Sequence, residues 1–148
     1  MVLSTAQQET WRSLVMLSHA LEEALDGQSR RDGGIPHAYY KLLVFLYEAG
    51  DRRLSMSELA SDLGYSSSRL THAVASLERS GWARRIRSTE DRRVQHVELM
   101  DAGADVVRRV TPGQVAEVRE PLFTGMTPEQ VEALGALART AVANLRAE

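Results

Sequence analysis

The stretch GYSSSRLTHAVASLERSGWARR spans residues 64–85 and places one predicted helix between two glycines. Its apolar residues recur at the i, i+3, i+4 and i+7 spacing of a helix with one buried face. These residues are Leu70, Ala73, Val74 and Leu77. The opposite face carries Ser68, Arg69, Thr71, His72, Ala75, Ser76 and Arg79. A helix that faces only solvent is usually rich in glutamate and lysine, so this face is expected to contact a partner.

The residues just before this helix predict a helix-turn-helix. Ser57 is a candidate N-cap for a short helix over residues 58–63, which Gly64 ends in a left-handed turn. Ala60 is the small residue where the two helices cross. The packing positions are Leu59, Leu63, Tyr65, Leu70 and Ala73. The alternative is an ordinary helical hairpin, in which the apolar stripe serves packing alone.

A basic hairpin follows the predicted helix-turn-helix. Residues 82–87 and 94–99 are candidate strands, and the polar residues 88–92 form a loop between them. Five arginines lie within ten residues: Arg84, Arg85, Arg87, Arg92 and Arg93. Guanidinium groups bind phosphate with two hydrogen bonds or enter a narrow minor groove. Asp91 is expected to hold one of these arginines in place, with Arg93 the first candidate.

Helices are predicted on both sides of this region. Ser4 and Gln7 form a capping box for the first helix, and residues 26–34 contain a polar break. Pro36 fits the first turn of a second helix that ends at Gly50, and an extended link follows at residues 54–56.

The C-terminal side is also helical by its pattern. A helix is predicted from Ala102 and is expected to be kinked or interrupted at residues 112–113, where proline and glycine are adjacent. Thr127, with proline next and Gln130 three residues on, is a capping box for a last amphipathic helix.

Composition excludes several classes of function. The 148 residues contain no cysteine, which excludes disulfides, thiol redox sensing, cysteine nucleophiles and cysteine-ligated zinc. The four histidines have no i, i+4 pairing, so no metal or other cofactor is expected. No nucleophile–base constellation is recognisable, and an enzyme is therefore not predicted. The polar N-terminus and the lack of a long apolar run indicate a cytoplasmic protein without a membrane segment.

The net charge of −2 hides an uneven distribution. Residues 52–96 carry nine Lys and Arg against five Asp and Glu, whereas each flanking region has a net charge of −3. A basic centre between acidic ends is typical of a polyanion-binding lobe inside a larger scaffold.

The central residues resemble the MarR family of bacterial transcriptional regulators over roughly residues 35–105. The matching marks are Ser57-Glu58-Leu59-Ala60, Thr71, Leu77-Glu78, Gly81, Asp91-Arg92-Arg93 and Val97-Glu98-Leu99. The Asp-x-Arg of the hairpin is the most telling of them. His72 departs from the arginine that the family often has there. Met100 replaces a common capping threonine, and Asp101 is expected to cap instead.

The resemblance implies one mainly α domain over residues 1–148 with a small β-hairpin wing. Residues 35–101 would form the winged helix-turn-helix lobe, and residues 1–34 and 102–148 the helices of a homodimer. The implied function is a transcriptional regulator, expected to be a repressor, that binds double-stranded DNA at a palindromic operator. A winged-helix adaptor that binds protein rather than DNA is the alternative, and it would not need the arginine-rich wing.

Individual residues receive roles on this interpretation. Base readout is expected from Ser68, Arg69, Thr71 and His72, and phosphate contacts from Ser67 and Ser76. The wing residues are Arg92 and Arg93, with Asp91 as the orienting group. Arg84 and Arg85 are candidate backbone contacts, and one of them could instead be an ion-pair partner. A small aromatic or anionic effector is a further candidate partner, near Trp11, His19, His37, Tyr39 and Tyr40, and core and interface packing is the alternative for these residues.

Overall fold

The computed structural model describes residues 2–89 and 91–146. Met1, Ala147 and Glu148, at the ends of the predicted domain, and Glu90, in the predicted loop, lie outside them. The elements in chain order are α1 (Thr5–Gly33), α2 (His37–Glu48), β1 (Arg53–Ser55), α3 (Met56–Leu63), α4 (Ser67–Arg79), β2 (Ala83–Arg87), β3 (Gln95–Leu99), α5 (Asp101–Phe123) and α6 (Pro128–Arg146). No helix within these ranges is long and apolar enough to cross a bilayer.

The helix-turn-helix prediction agrees with the positions of α3 and α4. The four stripe residues of α4 are each at most 1% exposed, and they pack with Leu59 of α3. Leu42, Leu43 and Leu46 of α2 belong to the same buried core. Gly64 between the two helices has a φ of 63°, a left-handed conformation that costs glycine little.

The sheet has one strand more than the predicted hairpin. β2 and β3 pair antiparallel, and β1 adds to the other edge of β3, giving the order β1-β3-β2. The expected extended link at residues 54–56 therefore contributes two residues to β1. Leu54 of β1 lies opposite Val97 of β3, which is fully buried. β1 continues directly into α3, so its pairing with β3 connects the hairpin to the helical part of the fold.

The polar break expected at residues 26–34 is wrong, because α1 continues to Gly33. Gln28 and Ser29 are buried, and the Gln28 side-chain amide donates to the carbonyl of Val110 in α5 at 3.0 Å. Packing against α5 thus stabilises a helical segment whose sequence alone favours a turn. Gly34, the C-cap that follows the helix, has a φ of 64°.

At residues 112–113, where a kink or an interruption is expected, α5 is not interrupted, since it is continuous from Asp101 to Phe123. Proline removes one helical hydrogen bond but keeps a helical φ. Gly113 has no side chain, and a Cβ there would meet the side chains of Gln28 and Asp32. The close approach of α1 that this permits compensates for the missing hydrogen bond.

Two of the predicted helix caps are present and two are not. Ser4 and Thr127 begin α1 and α6 with the expected capping boxes. Ser57 is not the cap of α3. The Ser55 hydroxyl accepts from the Glu58 N–H at 3.1 Å, and the Glu58 carboxylate accepts from the Ser55 N–H at 2.7 Å.

Asp101 does not cap α5 either. Met100 occupies the N-cap position without a side-chain hydrogen bond to the helix. The carboxylate of Asp101, in the first turn, accepts instead from the guanidinium of Arg52 at 3.3 Å.

Candidate nucleic-acid interface

The outward face of α4 begins at a capped N-terminus. The Ser66 hydroxyl accepts from the backbone N–H of Arg69 at 3.2 Å. The side chains predicted to read bases, together with Ser67, are exposed, and Ser76 is half-buried. These side chains therefore form a strip of short hydroxyl residues that also contains Arg69 and His72.

The hydroxyl of Thr71 already has an acceptor for its proton. Thr71 Oγ1 donates to the backbone carbonyl of Ser67 at 2.8 Å. A threonine hydroxyl has one proton and two lone pairs, so only acceptor capacity and the methyl group remain for a partner of α4.

Arg69 is stacked on a residue that the sequence assigned to packing alone. Its guanidinium carbon lies 4.0 Å from the centroid of the Tyr65 ring. The sequence signal for this contact is an aromatic residue four positions before an arginine at a helix N-terminus. Side chains in a helix lean back toward the preceding turn, which brings such an arginine to the aromatic ring.

Glu78 is the acidic residue of α4, and the wing neutralises it. Arg85 of β2 donates to its carboxylate from the backbone N–H at 2.9 Å, from Nε at 3.0 Å and from Nη2 at 2.7 Å. The hydrogen bond from the guanidinium holds the pKa of Glu78 below its usual value. This ion pair also connects the C-terminal end of α4 to the first strand of the wing.

Arg84 is paired as well. Its guanidinium lies 2.5 Å from the Glu98 carboxylate, directly across the β2–β3 ladder. The sequence predicts Arg84 and Arg85 as contacts of the DNA backbone, with an ion pair as the alternative for one of them. In the structure both form ion pairs.

The wing loop contains the Asp91–Arg93 pair that the sequence predicted. The Asp91 carboxylate accepts from the backbone N–H of Arg93 at 2.9 Å and from its guanidinium at 3.1 Å. Arg93 holds the pKa of Asp91 below its usual value. Arg92 beside them is exposed and forms no ion pair with any described residue.

A cleft of about 600 Å³ separates α4 from the wing. One wall carries the hydroxyl residues Ser57, Ser67 and Thr71, from the N-terminal turns of α3 and α4. The other carries Arg87, Arg92 and Arg93. The fold thus brings together the helix face and the wing arginines, which lie some twenty residues apart in the chain.

The five residues suggested for an effector are not brought together as one site, although the rings of His37 and Tyr40 stack with their centroids 6.3 Å apart. Trp11 and His19 are exposed on α1, and Tyr39 packs against the core. His37 is buried, with Nδ1 3.1 Å from the Glu22 carboxylate and Nε2 2.8 Å from the Gln114 amide. Among the described residues, no group of three His, Cys, Asp or Glu side chains is arranged to hold a metal ion.

A largely apolar groove of about 600 Å³ lies between α2 and α5. Tyr40 is the one residue of the suggested five that lines it. Burial raises the pKa of its phenol, whose oxygen lies 2.9 Å from the Thr111 hydroxyl. Other residues along the groove are Val44, Tyr47, Val107, Gln114, Arg119 and Phe123.

Comparisons with known proteins agree with this architecture. The sequence model of the MarR family matches residues 33–94. The repressor YetL of Bacillus subtilis is 28% identical over 102 residues, which cover 69% of this chain and 58% of YetL. AbsC, a MarR family transcriptional regulator from Streptomyces coelicolor, is 28% identical with a TM-score of 0.94, and the match covers 100% of this chain and 99% of AbsC.

Sco3205, a MarR family transcriptional regulator from Streptomyces coelicolor, was crystallised in complex with DNA and is 44% identical to this chain. The match covers 99% of this chain and 92% of Sco3205, with a TM-score of 0.94. With this identity over nearly the whole length, and the same winged helix-turn-helix, the chain belongs to the MarR family of transcriptional regulators.

Proposed function

We propose that this protein binds a palindromic DNA operator as a homodimer and represses transcription there. One observation carries the DNA-binding proposal. Each carboxylate that the structure describes between residues 67 and 99 is ion-paired with an arginine: Glu78, Asp91 and Glu98. The helix face and the wing therefore present hydroxyls and cations to a phosphate backbone without an unpaired described anion.

The similarity to Sco3205 supports the same proposal, because that regulator was crystallised in complex with DNA. Repression is inferred from YetL, which is named as a repressor. A regulator of this kind would act in the bacterial cytoplasm, where its DNA is.

In the proposed complex α4 enters the major groove. Ser68, Arg69, Thr71 and His72 would contact base edges, and Ser67 and Ser76 would bind phosphates. Because the proton of Thr71 is directed to the Ser67 carbonyl, Thr71 would accept from an amino group of adenine or cytosine, or place its methyl against thymine.

The wing contacts DNA beside the helix. Arg92 and Arg93 would bind phosphates or enter the adjacent minor groove, with Asp91 orienting Arg93. We assign Arg85 to holding the wing against α4 and Arg84 to joining β2 to β3, because their guanidinium groups are paired with Glu78 and Glu98.

The homodimer is inferred from apolar faces that this chain does not cover. No described residue of α6 is buried. Its exposed apolar residues include Val131, Leu134, Leu137, Val142 and Leu145. The N-terminal half of α1 exposes Trp11 (61%) and Leu14 (52%) in the same way. Contiguous apolar surface of this extent usually marks an interface, and a second copy supplies the same two faces for mutual burial.

An effector site is proposed in the groove between α2 and α5. Its walls are largely apolar, and Gln114, Arg119 and the carboxylate of Glu48 lie along it, so it suits a small aromatic ligand whose own carboxylate would pair with Arg119. Benzoate titrated into the protein should bind, and Arg119→Ala should weaken that binding. Unchanged affinity in the variant, or no binding by the wild type, would remove this site for this class of ligand.

Selection of bound sites from random duplexes tests the main proposal. We expect a palindrome with half-sites about one helical turn, roughly 34–36 Å, apart. Affinity for the selected site should fall steeply as salt rises, because phosphate contacts release counterions. If no duplex is bound at low ionic strength, the winged-helix adaptor is the better interpretation. A single unrepeated half-site would contradict the homodimer on DNA.

A further inference from the structure

Tyr65 and Arg69 form a stacked side-chain pair at the start of the exposed α4 face. Arg69 is the third residue of α4, and its guanidinium carbon lies 4.0 Å from the Tyr65 ring centroid. At this distance the planar cation is in contact with the face of the ring, the favourable arrangement for a cation–π interaction.

Tyr65 is held by hydrogen bonds to α2 and to α3. Its hydroxyl donates to the backbone carbonyl of Ala38 in α2 at 3.1 Å. Its backbone N–H donates to the carbonyl of Ala60 in α3 at 2.9 Å. The side chain is partly buried and packs against the core. The ring is therefore a fixed platform.

The other interactions of Arg69 leave its guanidinium available. No carboxylate among the described residues forms an ion pair with it, and the Ser66 cap uses only its backbone N–H. Stacking covers one face of the guanidinium, while its N–H donors point outward from the edge of the plane. An arginine held in this way loses less side-chain freedom on binding than one that moves freely in solvent.

We propose that Tyr65 is a positioning residue for sequence recognition. It fixes the plane and direction of the Arg69 guanidinium, so that Arg69 donates two hydrogen bonds to O6 and N7 of a guanine in the major groove. The preference for that base pair then depends on Tyr65 as well as on Arg69. This inference rests on the proposed DNA binding.

The test uses the operator selected by the wild-type protein and a panel of operators with one base pair changed symmetrically in both half-sites. Affinities are measured for the wild type, Arg69→Ala, Tyr65→Leu, Tyr65→Phe and the double variant Tyr65→Leu with Arg69→Ala. The wild type should discriminate at one guanine position by roughly ten- to a hundredfold, the range of a good bidentate contact.

We expect Arg69→Ala to abolish discrimination at that position only. Tyr65→Leu should reduce discrimination at the same position and leave the other positions as they are. Tyr65→Phe should retain it, because the ring face is kept. In the Arg69→Ala background, Tyr65→Leu should have no further effect on discrimination, since the group that it positions is absent.

Three outcomes would overturn the role of Tyr65 while leaving DNA binding intact. The first is an equal loss on every operator in Tyr65→Leu, which indicates a structural role. The second is the same loss of discrimination from Tyr65→Leu with or without Arg69. The third is unchanged discrimination in Tyr65→Leu. By contrast, if the wild type binds no duplex, the proposed function itself fails.

A second variant keeps the test decisive if Tyr65→Leu does not fold. Arg69→Lys retains the positive charge but lacks the planar group that stacks on the ring. We expect it to preserve the salt dependence of binding and to lose guanine discrimination. Full discrimination by Arg69→Lys would show that a stacked, oriented guanidinium is not required.

Discussion

Arg93 combines high exposure with a defined orientation. Its side chain is 91% exposed, yet Asp91 accepts hydrogen bonds from both its backbone and its guanidinium. An arginine ordered before binding loses less conformational freedom when it contacts a phosphate. The pair thus explains why an acidic residue lies in a wing that is proposed to bind a polyanion.

Replacing Arg93 should weaken DNA binding on every sequence to a similar degree. Arg93→Ala removes one proposed phosphate contact per protomer, so the slope of log K against log salt should become shallower by about one per protomer. Fluorescence anisotropy at several salt concentrations measures this slope. Arg30→Ala is the control, because Arg30 is exposed on α1 and paired with Asp26. An effect of Arg93→Ala confined to one operator sequence would contradict a phosphate contact.

Two neighbouring serines distinguish the observed cap of α3 from the one that the sequence predicted. Ser55→Ala should lower the free energy of unfolding by about 1 kcal/mol, since it removes the acceptor for the Glu58 N–H. Ser57→Ala should change it by less than about 0.5 kcal/mol. Urea denaturation measures both values. A larger loss for Ser57→Ala would place the cap where the sequence pattern suggested.

At the level of elements, the Glu78–Arg85 ion pair joins α4 to β2. Each side chain is about one-third exposed, so we expect Glu78→Gln to lower the free energy of unfolding at pH 7 by only about 1 kcal/mol. A neutral amide keeps an acceptor for the backbone N–H of Arg85 but loses the charge.

The same pair predicts a pH dependence of stability. Arg85 lowers the pKa of Glu78 in the folded protein below its ordinary value of 4.5, so the unfolded chain takes up the proton first. The stabilisation is therefore complete above this value and is lost as the pH falls through the lower, folded-state pKa. The difference between wild type and Glu78→Gln should shrink below about pH 4.5. Thermal melts from pH 7 to pH 3 measure it, with Glu23→Gln as an exposed control. A constant difference over this range would contradict the ion pair.

Packing between elements also explains why two expected helix breaks are absent. Gly27 lies inside α1, and Pro112 and Gly113 lie inside α5. Each is unfavourable in an isolated helix. In the fold, α1 and α5 pack along these segments, and Gln28 bonds to Val110, 82 positions away in the chain. Local propensity is outweighed by contacts that a short sequence window does not contain.

At the scale of the whole molecule, the uncovered face of α6 predicts how the dimer can be broken. Leu134→Glu should shift sedimentation toward the monomer at micromolar concentration, because a charge would be buried in the proposed interface. Operator affinity should fall more than tenfold as the second half-site is lost. Ala136→Glu adds the same charge to the opposite side of α6 and is the matched control. A stable Leu134→Glu dimer would exclude this face of α6 from the interface.

The sequence by itself determined the features that depend on short stretches of chain. Periodicity identified the buried stripe of α4, two capping boxes identified the starts of α1 and α6, and arginine density identified the wing, because each of these signals lies within a few residues. The family resemblance added the winged helix-turn-helix as a whole.

Only the tertiary structure decided which charges remain available and where helices continue. The sequence predicts Arg84 and Arg85 as contacts of the DNA backbone and leaves an ion pair open for one of them, whereas the fold pairs both, with Glu98 and Glu78. Tyr65 read as a core residue until its ring was found beneath Arg69. Ion pairing, stacking and helix packing join side chains that sequence order does not relate, and their free energies depend on distance and burial that only the folded chain defines.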